Sequence, residues 1–288
     1  MANSITLFKK YTDLLDEVYK NASCSSILDM DGALVQAGAN ANEIIIPKMS
    51  MDGLADYSRN GGYVQGSVEI TNETVKFNYD RGRKFSVDAM DNEETTGVAF
   101  GKLASEFIRT KAVPEMDAVR FAAYSAIAGI GSKQETIANA EDFMTSLHAG
   151  VNAMDEAEVP ADGRYLFVTP TLYNGALGLN TYISKAILES FAGIVKVPQS
   201  RFYTAVDLLD GTTSDEEIGG YKKNAEGADI NFMIIHKPAV IQFGKHTVNK
   251  IIPPENNPDA DAYIFAYRAY GLTDAYANKA AGIYCSHK

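Results

Sequence analysis

The sequence predicts an α+β fold, and three blocks of pattern predict it. Strand-like runs occupy residues 43 to 90, helical spacing runs from 91 to 156, and a mixed pattern closes on strands near the C-terminus. With 288 residues and 46% hydrophobic content, the chain is globular and can bury a substantial core.

Taken in order, Ser4 is placed to cap a helix reaching about Lys20. Leu7, Phe8, Tyr11, Leu14, Leu15, Val18 and Tyr19 recur on one of its faces. That stripe needs a cover, from its own domain or from a neighbouring subunit. Residues 21–42 are rich in Ala, Gly, Ser and Asn and read as an extended arm or loop.

Strand character begins with Ile44, Ile45 and Ile46, just before Pro47. After the turn-rich SRNGG at 58–62 comes Tyr63 to Ile70, with Val68 in the run. TNET at 71–74 reads as a turn, and Val75, Phe77 and Tyr79 then alternate with Lys76, Asn78 and Asp80. The expectation is a β-hairpin with one apolar face. A two-stranded ribbon is marginal alone, so this one requires a partner surface.

Glu93 and Glu94 favour a helix start, and Val98, Leu103, Phe107 and Ile108 mark its face up to Pro114. Pro114, with Glu115 and Asp117 following, suits the first turn of a second helix carrying Met116, Val119, Phe121, Tyr124 and Ile127. A third helix is expected from Asn139 to about Glu156, with Phe143, Leu147, Val151 and Met154 inward.

Within VPADGRYLFVTPTLYNGAL at 159–177, Asp162-Gly163 signals a turn, Arg164 to Thr169 a buried strand, and Pro170 a helix start capped by Thr169. Thr181 to Phe191 reads as helix, while Ile194 to Val197 and Ile230 to Ile235 read as strands. Residues 212–227 read as a polar, acidic loop. Tyr263, Phe265 and Tyr267 alternate in a closing strand, and an apolar segment, Gly282 to Cys285, lies close to the end.

Charge and composition exclude several function classes. A net charge of −11 and a pI near 4.9 argue against a phosphate-tracking surface and hence against tight nucleic-acid binding. No apolar run is long enough to cross a membrane, and no secretory signal is present. Cys24 and Cys285 form no framework of spacings, which fits reduced cytoplasmic synthesis and leaves a bridge between them open.

The sharpest enzymatic motif is ILDMDGALV at 27–35, where Asp29 and Asp31 resemble the nucleophile and acid/base of a haloacid-dehalogenase-like phosphatase. The match is partial: Ala33 replaces the usual Thr, NASCSS is a poor buried strand, and the later acidic pair that would hold magnesium is missing. Phosphate-loop, dinucleotide, zinc and serine-hydrolase patterns fail on spacing. The end of strand 164–169 offers only Thr-Pro-Thr. No catalytic, metal-binding or cofactor-binding residue is expected. Arg81, Arg83 and Lys84 form the one dense basic cluster, read as a solvated turn or as a patch meeting an acidic neighbour.

Five segments together resemble the major capsid proteins of tailed phages, of the Hong Kong ninety-seven type. They are AGANANEIIIPKMSMDGLADYSRNGGYV at 37–64, DRGRKFSVDAMDNEET at 80–95, KAVPEMDAVRFAAY at 111–124, EAEVPADGRYLFVTPTLY at 156–173 and KAAGIYCSHK at 279–288. The resemblance implies an N-terminal arm (1–47), an extended hairpin loop (48–90), peripheral-domain helices (91–134), an axial domain (135–244) and closing strands of the peripheral domain (245–288). It further implies self-assembly into hexamers and pentamers of an icosahedral shell enclosing DNA without sequence-specific binding.

On that resemblance the candidate inter-subunit contacts are Leu7, Phe8, Tyr11, Tyr63, Val68, Ile70, Val75, Phe77, Tyr79, Arg81, Arg83 and Lys84. Expected partners are other copies of the chain, a separate scaffolding protein, a portal protein and decoration proteins, with the virion as the location after synthesis in the host cytoplasm. The separate scaffold is expected because the arm helix begins within a few residues of Met1. An encapsulin-type nanocompartment shell resembles the same architecture and is the nearest alternative.

Overall fold

A computed structural model describes residues 23–30, 43–94, 98–179 and 182–288. The helix expected over 4–20, and with it Leu7, Phe8 and Tyr11, lies outside the described residues. In chain order the strands are β1 (Glu43–Met51), β2 (Val68–Lys76), β3 (Tyr79–Asp88), β4 (Gly131–Gln134), β5 (Arg164–Val168) and β6 (Gly193–Lys196). They continue with β7 (Val206–Leu209), β8 (Gly220–Lys223), β9 (Ile230–His236), β10 (Val240–Ile252), β11 (Ala262–Ala275) and β12 (Ile283–His287). The helices are α1 (Ala89–Glu94), α2 (Val98–Phe107), α3 (Val113–Ser125), α4 (Ala140–Glu156), α5 (Pro170–Leu179) and α6 (Tyr182–Glu189).

A five-stranded sheet of order β4-β12-β9-β5-β6 forms the centre. Every residue of β9 is buried, because both sheet faces are covered. Its side chains divide by the period of two: Met233 and Ile235 join Phe121, Tyr124 and Phe202, while Phe232 and Ile234 join Phe143, Leu147 and Tyr284. Asn139 caps α4 by accepting the Asp142 N–H at 2.8 Å, so the helix starts where the sequence places it. Gly131 and Gly150 leave room for the Tyr284 ring; a Cβ at either would come within 3.0 Å of it.

The second sheet has order β10-β11-β3, antiparallel throughout, with a register shift between Gly244 and His246. On one face Phe265, Tyr267 and Ala269 pack with Tyr79 against Ile108, Val113 and Met116. The helix carrying those residues does not break at Pro114. A π turn over Ile108–Ala112 joins α2 to α3, accommodating the N–H that Pro114 cannot supply.

Three expectations are corrected. TNET at 71–74 is no turn: it lies inside β2, whose partner is β1, not the strand at 75–79. Thr71 and Thr74 are β-branched and fit a ladder, and Pro47 is accommodated in β1, a ribbon strand with one free edge. Residues 79–88 instead leave the hairpin and join the second sheet beside β11. The polar loop at 212–227 contains β8, which pairs with β7.

Candidate inter-subunit surface

Opposed residues of an antiparallel pair share a face, so the β1–β2 register sorts the ribbon's side chains. One face carries Ile44 opposite Val75, Ile46 opposite Glu73, Lys48 opposite Thr71 and Ser50 opposite Glu69. The other carries Ile45 opposite Thr74, Pro47 opposite Asn72, Met49 opposite Ile70 and Met51 opposite Val68. The main apolar side therefore changes along the ribbon. Near the base, Ile44, Ile46 and Val75 pack with Ile241 and Leu272 of the second sheet. Toward the tip, the opposite face holds Met49, Met51, Val68 and Ile70, each 55–66% exposed.

The connection over 52–67 is shaped by local bonds. The Asp52 carboxylate accepts the Ser67 N–H at 2.7 Å and its hydroxyl at 3.0 Å, which holds that carboxyl below the usual carboxylate range. Ser58 and Gly62 exchange backbone hydrogen bonds of 3.2 and 2.7 Å, and Gly62 takes the left-handed conformation such a tight turn demands. The Tyr57 and Tyr63 rings lie 4.8 Å apart. Leu54, Tyr57, Tyr63 and Val64 stand exposed here, extending the apolar surface beyond the ribbon. Water penalises an exposed apolar stretch of this kind, which makes it the candidate contact surface among the described residues.

Of the predicted contacts, Tyr63, Val68 and Ile70 are exposed on this distal part. Val75 and Tyr79 are corrected: both are buried within the chain, against Ile241 and Leu272 and against the Met116 cluster respectively. Phe77 stacks on Tyr270 with ring centroids 4.8 Å apart, so its surface too is used internally. Arg81 is an internal clamp: its Nε meets Glu115 at 2.8 Å, and its Nη2 donates to the Leu209 and Gly220 carbonyls. Arg83 donates to the Glu217 carbonyl at 3.0 Å, and Lys84 is exposed. Sequence reading missed Met49, Met51, Leu54, Tyr57 and Val64. The alternation of Met49 and Met51 with Lys48 and Ser50 was the available signal.

Of the phosphatase-like motif at 27–35, Asp31 and the residues to 35 lie outside the described residues. Asp29 follows a 3₁₀ turn (Ser26–Leu28) rather than ending a sheet strand, and it accepts from Gln242 Nε2 at 2.7 Å and pairs with Arg120 at 3.4 Å. Among the described residues no group of three or more His, Cys, Asp or Glu side chains could hold a metal ion. Both Cys24 and Cys285 are free thiols. No helix of the described residues is long and apolar enough to cross a membrane.

No family model matches the chain, and no curated protein matches it. Solved structures do. A capsid structure of Staphylococcus phage Andhra is 10% identical, with a TM-score of 0.57 over 91% of this chain and 83% of that one. The capsid structure of the cyanophage P-SCSP1u is 11% identical, with a TM-score of 0.54 over 90% and 86%. A virus-like particle from Pyrococcus furiosus is 11% identical, with a TM-score of 0.60 over 97% and 99%. The chain therefore has the α+β fold of tailed-phage major capsid proteins, the Hong Kong ninety-seven type.

Proposed function

We propose that this chain is the major capsid protein of a tailed bacteriophage, assembling into hexamers and pentamers of an icosahedral shell around double-stranded DNA. The observation that carries the reading is the β1–β2 ribbon, which docks its base on its own body and presents a separate apolar face near its tip. Full burial of side chains such as these contributes roughly 1.5–3 kcal/mol each, set against the cost of association. Several such contacts per subunit act together, so each can be weak and the shell still stable. A net charge of −11 suits a container for DNA, because the surface does not grip what it encloses.

On this reading residues 1–47 are the arm and 48–90 the extended loop. Residues 91–134 and 245–288 are peripheral, and 135–244 are axial. The sheets cross these divisions, since β3 pairs with β11 and β12 with β9. Other copies of the chain are the principal partners, and a separate scaffolding protein, a portal protein and decoration proteins are the further ones. Electron microscopy of the purified chain, expressed with and without a scaffolding protein, is the direct test. Icosahedral particles support the proposal, whereas a persistent monomer across a range of salt and with scaffold present would sink it.

The second reading is an encapsulin-type nanocompartment, favoured by the 97% and 99% coverage shared with the Pyrococcus furiosus virus-like particle. Particle contents decide between them: nuclease-protected DNA for the virion, a folded protein cargo for the compartment.

A further inference from the structure

The chain contains two Asn-Gly pairs, Asn60-Gly61 and Asn174-Gly175, and the fold treats them oppositely. In such a pair the glycine nitrogen can attack the carbonyl carbon of the asparagine side chain, because glycine has no Cβ to hinder the close approach. Asn60 lies in the loop that Ser58 and Gly62 close with backbone hydrogen bonds of 3.2 and 2.7 Å, and residues 58–61 are all exposed. The Gly61 N–H donates to the exposed Ser58 hydroxyl at 3.1 Å, a bond that water can replace at small net cost.

Asn174 lies in the middle of α5. Gly175 falls beyond the first turn of that helix, so its N–H belongs to the internal hydrogen-bond ladder, and the helical backbone keeps its nitrogen from closing a ring on the Asn174 side chain. Packing adds to the restraint, since a Cβ at Gly175 would stand 3.4 Å from that of Ala140 on α4. Ring closure at Asn174 therefore waits on local opening of the helix, whereas at Asn60 it needs only a rearrangement of an exposed loop.

We propose that Asn60 is a site of spontaneous deamidation in the native chain, from which Asn174 is protected. The Gly61 nitrogen gives its proton to hydroxide and bonds to the Asn60 Cγ; the Cγ–Nδ2 bond then breaks, and Nδ2 takes a proton from water and leaves as ammonia. Water opens the resulting succinimide, at Cγ to give aspartate or at the main-chain carbonyl to give isoaspartate, and it is the only co-reactant. Either product places a carboxylate in the loop flanked by the exposed Tyr57 and Tyr63, where a docking partner would have to desolvate it. That loss of contact rests on the inter-subunit reading above; the deamidation does not.

Incubating the full chain in mildly alkaline buffer and mapping its peptides by mass spectrometry tests this. Conversion at Asn60 should run at least roughly tenfold faster than at Asn174, because only the latter waits on helix opening, and in guanidinium chloride the two rates should converge. Gly61→Ala sets a methyl group beside the attacking nitrogen at a position that has no positive φ and leaves 3.4 Å to Ser58, so it should slow conversion with the circular dichroism unchanged. Equal rates at Asn60 and Asn174 in the native chain would overturn the proposal, as would conversion undiminished by Gly61→Ala. Asn60→Asp isolates the consequence and should lower the yield of particles below that of the native chain. Particles at the native yield would overturn the loss of contact, while a native chain that forms none would instead overturn the inter-subunit reading.

Discussion

Met49 stands directly opposite Ile70 on the β1–β2 ribbon, on the face opposite the one by which Ile44 and Val75 hold that ribbon to its own body. A side chain's position along the ribbon thus decides whether it stabilises the monomer or awaits a partner.

That division predicts two opposite phenotypes. Replacing Met49 with Glu and Ile70 with Lys should leave the melting temperature of the monomer nearly unchanged, since exposed positions contribute within about 0.5 kcal/mol. Particle formation, followed by light scattering and microscopy, should be lost. Ile44→Ala should do the reverse in order of events: it should cost about 2–4 kcal/mol of folding stability in denaturant titration through the cavity it leaves. Equal stability losses in the two variants would remove the distinction.

Arg81 ties three elements with one guanidinium: β3, which carries it, Glu115 of α3, and the β7–β8 ribbon through two carbonyls. Arg81→Ala should cost about 3 kcal/mol, most of it from leaving the Glu115 carboxylate buried without its cation. Adding Glu115→Gln should recover part of that loss, and a double-mutant cycle by chemical denaturation measures the coupling.

Asp80 and Arg268 pair across β3 and β11 through hydrogen bonds of 2.9 and 2.7 Å, which hold the Asp80 carboxyl below the usual carboxylate range. Because the folded value lies below the unfolded one of about 3.9, the stabilisation is present above about pH 4 and is lost as pH falls through the folded value. Asp80→Asn should therefore lower the melting temperature at neutral pH. The gap from the native chain should close in acid, and a gap independent of pH would show that the ion pair is not its source.

Burial raises both thiols, Cys24 to about 11 and Cys285 to about 12, with the neighbouring Asp117 charge adding to the effect at Cys24. Both are protonated at pH 8, so the native protein should react slowly with iodoacetamide. Denaturation without a reductant should release two reactive thiols; fewer would reveal a disulfide.

How much of this was legible in the sequence depends on whether a residue's neighbours are near in the chain. The helix beginning at Asn139, the strand at 164–168 and the strand at 230–236 follow from local propensity and period, and the sequence predicted each of these elements. So did the need for a partner at the hairpin, because an isolated ribbon cannot cover its own apolar side chains. Tertiary structure alone decided which strands pair. Thr71 to Thr74 carry turn-like polarity, yet they lie across from Ile45 to Lys48 because β1 offers a ladder and a salt bridge between Lys48 and Glu73 at 2.6 Å. Register in turn decided which side chains face out, since a shift of one residue exchanges the faces. Asp29 reads as chemistry by its spacing alone; Gln242, 213 residues away, donates to its carboxylate at 2.7 Å and ties it to β10. Spacing along the chain determined the elements, and contacts between distant residues determined which of them hold the molecule together and which remain for a partner.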